Sequence, residues 1–115
     1  MLSRNTYMEV YLNNIKNNIL KIIKKHNEYE YYFGVVKADC YGHEIGVIPK
    51  MIEAGVNYLA VATFEEALAI RNQNIDIPIF CLGIIPKEYI KKAIENKITL
   101  TINSIEYLEE IEDVL

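Results

Sequence analysis

Two hydrophobic periods alternate along this chain, and that alternation limits what it can fold into more than any other feature. The run from Tyr31 that ends on Lys37, then Tyr58–Ala62, Pro78–Leu82 and Ile98–Ile102, are short and almost continuously apolar. Each is followed by a stretch in which apolar residues recur three and four apart, the spacing of one helix face. Short continuous apolar runs read as parallel strands buried on both sides, and helical stretches read as the crossovers that parallel pairing requires. The expected fold class is therefore α/β, with parallel strands alternating with helices.

Element boundaries follow from local chemistry. Thr6–Tyr11 alternates in polarity and reads as a leading strand, and Leu12, Ile15, Ile19, Ile22 and Ile23 place a helix from there to about Lys25. Pro49 fits the first turn of a short helix, where its missing N–H costs nothing, and Gly55 is placed to stop it. Thr63 with Glu66 three residues on forms a capping box for the helix carrying Ala67, Leu68 and Ile70. Pro86 to about Asn96 is a further helix, and Ser104 caps one carrying Ile105, Leu108, Ile111 and Leu115. A leading strand and helix thus precede four strand–helix units. Four units are half of a (β/α)8 TIM-type barrel, and 115 residues fall well short of the roughly 250 that a whole one takes. A flavodoxin-like open sheet has the same periodicity. Neither GxGxxG nor GxxxxGK[ST] occurs, which removes the usual nucleotide-phosphate loops.

Charge and side-chain inventory exclude several classes of function. A net charge of −4 gives no electrostatic case for nucleic acid or an anionic membrane. Lys21, Lys24 and Lys25 form a solvated helix face. Cys40 and Cys81 have neither CxxC nor metal-finger spacing, and no signal peptide or long apolar span stands out. Free thiols in a reducing cytoplasm are expected. His26 and His43 lack a partner at helical spacing, so no metal site is expected.

One residue breaks the apolar pattern at a chemically useful point. Lys37 ends its strand before the small and polar run Ala38-Asp39-Cys40-Tyr41-Gly42-His43. Ligands of α/β folds sit beyond the carboxyl ends of the strands. An amine with apolar neighbours loses its proton more easily, and an uncharged amine on a rigid element can attack an aldehyde. Position alone favours the plainer reading, a lysine whose stem packs while its ammonium reaches water.

The segment Val35-Val36-Lys37-Ala38-Asp39-Cys40-Tyr41-Gly42-His43 closely resembles the pyridoxal-phosphate lysine motif of the alanine racemases, the fold-type III pyridoxal-phosphate enzymes. Further stretches look like successive signatures of that racemase barrel: Glu53-Ala54-Gly55, Leu59-Ala60-Val61-Ala62-Thr63, Glu65-Glu66-Ala67-Leu68, Arg71, Ile75, Pro78-Ile79 and Leu82-Gly83. The likeness runs from the strand at Tyr7 to the helix at Leu108. It implies that Lys37 holds pyridoxal 5'-phosphate through a Schiff base and serves as the base on one face of the amino acid. Tyr41 matches the tyrosine that hydrogen-bonds the cofactor phosphate, and Leu82 matches a position lining the cofactor ring. Without the resemblance, Tyr41 would be an ordinary packing tyrosine and Leu82 a core residue.

The implied reaction interconverts L- and D-alanine for cell-wall supply, with serine or another small amino acid left open as substrate. Exchange on both faces of a planar intermediate needs a second acid–base group. The resemblance places it on a tyrosine from the C-terminal β-domain of the other subunit. Residues 1–115 are thus expected to be the N-terminal portion of the barrel domain, without its C-terminal half or the β-domain, and inactive alone. A non-catalytic pyridoxal-phosphate binder and an inert truncated half-barrel are the alternatives. Exposed sheet edges would favour a homodimer or higher association. Glu44 stands where the family has glycine, and Pro49 falls in a helix that the family leaves uninterrupted, which implies a reshaped loop beside the cofactor mouth.

Overall fold

The computed structural model describes residues 12–36 and 45–115. Helix α1 (Leu12–Lys25) leads to strand β1 (Phe33–Val35), and a 3-10 turn (Ile45–Val47) leads to α2 (Ile48–Glu53). Then follow β2 (Tyr58–Val61), α3 (Phe64–Arg71), β3 (Ile79–Cys81), α4 (Lys87–Glu95), β4 (Ile98–Thr99), α5 (Ile105–Ile111) and a closing 3-10 turn (Glu112–Val114). The leading strand expected at Thr6–Tyr11 lies outside the described residues. The sheet runs β1-β2-β3-β4 with every pairing parallel, so sequence neighbours are spatial neighbours. That order is the winding of a half-barrel. A flavodoxin-like sheet would depart from it, because its strand order reverses at a switch point.

Alternation along each strand separates two faces. Gly34, Leu59, Val61, Ile79, Cys81 and Ile98 are buried beneath the helices, where Ile48, Ile85, Ile90 and Ile111 complete the core. Burying one such aliphatic side chain stabilises by roughly 1.5–3 kcal/mol. The other face is uneven: Ala60 is buried, Tyr58 and Phe80 are half-buried, and Phe33 and Val35 are exposed. The strands therefore do not have the two-sided burial expected from their composition. Among the described residues only the helix-facing side is fully covered, as in one side of a barrel wall.

Several local expectations hold in detail. Thr63 Oγ1 accepts from the Glu66 N–H at 3.2 Å, and Glu66 Oε1 accepts from the Thr63 N–H at 3.0 Å, completing the capping box. Ser104 Oγ accepts from the Tyr107 N–H at 3.1 Å at the start of α5. Pro49 sits in the first turn of α2, and Gly55 follows that helix at φ +119°, a conformation that favours glycine. Lys16 ties α1 to α2 through Glu53 at 2.7 Å, and Lys50 reaches the same carboxylate at 3.2 Å.

Three expectations are corrected. The fourth strand ends at Thr99 instead of Ile102, because Thr101 uses its hydroxyl, donating to the Cys81 carbonyl at 2.7 Å, where a backbone ladder would continue. Helix α5 buries Tyr107 and Ile111, while Ile105 is 71% exposed. The Tyr107 hydroxyl donates to the Ile85 carbonyl, which turns that face of the helix inward. Helix α1 has no fully buried residue, and Ile22 points to solvent while Ile15 and Ile19 pack partly against the core.

Candidate functional site

Among the three residues singled out by sequence, Lys37 and Tyr41 lie outside the described residues, and Leu82 is described. Leu82 follows the carboxyl end of β3, its N–H donating to the Val61 carbonyl at 2.8 Å. Its side chain is 43% exposed, so it is not the core residue that its apolar character alone suggests. It lines an open groove of about 620 Å³ along the uncovered sheet face, together with Tyr31, Phe33, Val35, Tyr58, Ala60, Phe80 and Thr99. Among the described residues, no charged side chain lines this groove.

Its floor is an aromatic ladder. Phe33 stacks on Tyr58 with ring centres 4.3 Å apart, while Phe80 meets Phe33 edge-on at 6.5 Å and Tyr31 meets Tyr58 edge-on at 5.8 Å. Offset and edge-on contacts of this kind fix ring positions beyond what area burial does. The Tyr58 and Thr99 hydroxyls are hydrogen-bonded to each other within the floor. Sequence reasoning took Phe33, Tyr58 and Phe80 simply as strand residues. Parity was the available signal, since Phe33 and Val35 lie an even number of residues from Lys37.

Other chemistry-bearing groups lie apart from the groove. Cys81 is fully buried on the helix side, where burial pushes its thiol pKa up, and its Sγ lies 3.5 Å from the Gly83 carbonyl. Such a thiol is poorly reactive. His26 lies just past α1 and its carbonyl accepts from the Tyr32 hydroxyl, while Cys40 and His43 lie outside the described residues. Among the described residues no three His, Cys, Asp or Glu side chains cluster as metal ligands, and no helix is long and apolar enough to cross a membrane. A second cavity, of about 460 Å³, lies beside α2 and the α3–β3 loop, lined by Pro49, Ile52 and residues 73–77.

Opposite the strands' carboxyl ends, Arg71 holds the amino ends of β3 and β4 together. Its Nε donates to the Asn96 carbonyl at 2.8 Å, and its Nη1 donates to the carbonyls of Ile75 and Ile77, each at 2.8 Å. Its Nη2 reaches the Lys97 carbonyl at 3.3 Å. Burial lowers the guanidinium pKa and nearby Asp76 opposes the change. The two ends of the sheet thus differ in kind. The amino end is tied shut by hydrogen bonds, and the open apolar groove reaches Leu82 at the carboxyl end.

Comparison with known proteins gives this architecture a family. The profile described as "Alanine racemase, N-terminal domain" matches residues 10–115. The alanine racemase of Halalkalibacterium halodurans is 38% identical over 109 residues, which is 93% of this chain and 28% of that protein. The structure of alanine racemase from Bacillus anthracis with bound L-Ala-P superposes with a TM-score of 0.89 at 36% identity, over 99% of this chain and 30% of that one. The histidine racemase of Leuconostoc mesenteroides superposes with a TM-score of 0.81 at 27% identity, over 90% of this chain and 28% of that one. The chain thus spans less than a third of the length of these relatives. With four parallel strands wound in barrel order and a profile match over nearly all of its residues, the chain belongs to the alanine racemase N-terminal domain family.

Proposed function

We propose that residues 1–115 supply the cofactor-holding part of a pyridoxal-phosphate-dependent amino-acid racemase that acts on alanine. The observation that carries this reading is Leu82, an exposed leucine at a strand's carboxyl end, beside an uncharged apolar groove on a sheet of racemase-family order. A planar heterocycle needs apolar surface to pack against, and a phosphate needs a site without carboxylates. The described residues fit both requirements, since the groove offers Leu82 and no acid.

In this reading Lys37 would hold the cofactor through Nζ and would serve as the base that takes or returns the α-proton on one face of the substrate. Tyr41 would donate its hydroxyl to the phosphate, and Leu82 would pack against the ring. A lysine amine suits this role because its uncharged form is both a nucleophile and a base. When bound, pyridoxal phosphate supplies a conjugated ring that accepts the electron pair left by the departing α-proton. Lys37 serves one face only. The second acid–base group, the rest of the barrel and the C-terminal β-domain come from outside these residues, and a second subunit and a cytoplasmic setting belong to the same proposal. The comparable likeness to a histidine racemase supports placing side-chain selectivity outside these strands.

The test is alanine racemisation by the purified chain with added pyridoxal phosphate. The expected rate equals that of the free cofactor. Robust racemisation that is lost in Lys37→Ala would overturn the assignment of the second group to residues outside this chain.

A further inference from the structure

The peptide after β2 is held from both sides. The Ala62 N–H donates to Glu66 Oε1 at 2.8 Å, and the Thr63 N–H donates to the same oxygen at 3.0 Å. The Ala62 carbonyl accepts from the Gly83 N–H at 3.1 Å, one step beyond the Leu82 N–H to Val61 carbonyl bond at 2.8 Å. Pairing between the second and third strands is thereby carried past their ends, to the residues on each side of the Leu82 side chain. A Cβ at Gly83 would overlap the Ala62 carbonyl oxygen, so only glycine permits this approach. The capping box at Thr63 therefore does more than start α3. Its carboxylate fixes the peptide against which Leu82 is aligned.

We propose that Glu66 and Gly83 are positioning residues for Leu82, setting where its side chain stands at the mouth of the groove. The inference rests on the proposed function in one respect, namely that Leu82 packs against a pyridoxal ring bonded to Lys37. Strand-end residues often fray, and an exposed leucine on a frayed end would present no fixed surface to a planar ring. Two successive interstrand bonds and a carboxylate latch remove that freedom without placing any charge in the groove.

The test uses the chain with pyridoxal phosphate as probe. Imine formation at Lys37 is followed by visible absorption, and backbone amide exchange is measured on the same samples. Gly83→Ala and Glu66→Gln are each made in the native and the Leu82→Ala backgrounds. In the native background Gly83→Ala is expected to raise the apparent Kd about tenfold, and Glu66→Gln, which keeps the acceptor oxygen but loses the charge of both bonds, about fourfold, each with faster exchange at the Leu82 and Gly83 amides. In the Leu82→Ala background the change in Kd is expected to shrink below about twofold, because the residue acted upon is gone. If Gly83→Ala fails to fold, Glu66→Gln carries the comparison, since it preserves size and an acceptor oxygen. Equal losses in both backgrounds, or no loss with unchanged exchange, would overturn the positioning role while leaving the proposed function standing. A native chain that forms no imine at Lys37 would overturn the proposed function and this inference with it.

Discussion

The Arg71 guanidinium donates through Nε to the Asn96 carbonyl at 2.8 Å, across 25 residues of sequence, and so joins the end of α3 to the loop that starts β4. Nη1 and Nη2 extend the hold to Ile75, Ile77 and Lys97. A planar fork with five donors can satisfy four carbonyls at once, and an ammonium cannot match that geometry. Arg71→Lys is therefore expected to lower stability by about 2 kcal/mol and Arg71→Ala by about 3, since hydrogen bonds from charged donors contribute roughly 1.5–3 kcal/mol each and do not add fully. Urea unfolding measures this. A loss under about 0.5 kcal/mol for Arg71→Ala would show that water replaces the clamp without cost.

Tyr107 gives a second expectation. Its hydroxyl donates to the Ile85 carbonyl from a site only 8% exposed, and burial raises its pKa, with Glu110 adding to the effect. Tyr107→Phe leaves that carbonyl without this donor, and a loss of about 1 kcal/mol is expected at neutral pH. The folded pKa lies above the unfolded one, so the native state holds this proton more tightly. The contribution is complete below the unfolded value near 10 and declines as pH rises towards the folded one. Stability of the native chain should thus fall more steeply than that of Tyr107→Phe in strongly alkaline buffer, which denaturation midpoints across that range will show.

Glu53 works in the opposite direction. The hydrogen bond from Lys16 and then that from Lys50 hold its carboxyl pKa below the ordinary 4.5. Its contribution is present above the unfolded pKa and is lost as pH falls through the folded one. Glu53→Gln should flatten the acid limb of the stability curve and loosen α1 first, since Lys16 is the link between α1 and α2. The effect is expected to be small and weakened by salt, because the pair is exposed. Amide exchange in α1 at two ionic strengths is the check.

Much of this architecture is legible in the residues. Apolar runs alternating with helical spacing lead to parallel strands joined by helices, and Thr63 with Glu66, Ser104 and Pro49 mark helix starts because capping chemistry is local. Two things are not legible. A continuous apolar run cannot tell a strand covered by helices on both faces from a barrel wall, so the open position of Phe33 and Tyr58 required the fold itself. Long-range polar ties also leave no periodic trace, which is why the carbonyl partners of Arg71 and the inward turn of Tyr107 are invisible in sequence. At the candidate site, Lys37 and Tyr41 lie outside the described residues, and of the three residues chosen from sequence only Leu82 is described, at the carboxyl end of β3. The uncharged aromatic groove beside Leu82 emerges only from register and parity.

Borohydride reduction of the chain in the presence of pyridoxal phosphate, followed by intact mass and peptide mapping with Lys37→Ala as control, addresses the central claim most directly. Reduction fixes any imine at the lysine that formed it. One adduct per chain, confined to the peptide containing Lys37 and absent from Lys37→Ala, is the expected result. Labelling scattered over Lys21, Lys24, Lys25 and other surface lysines, and unchanged in Lys37→Ala, would contradict it.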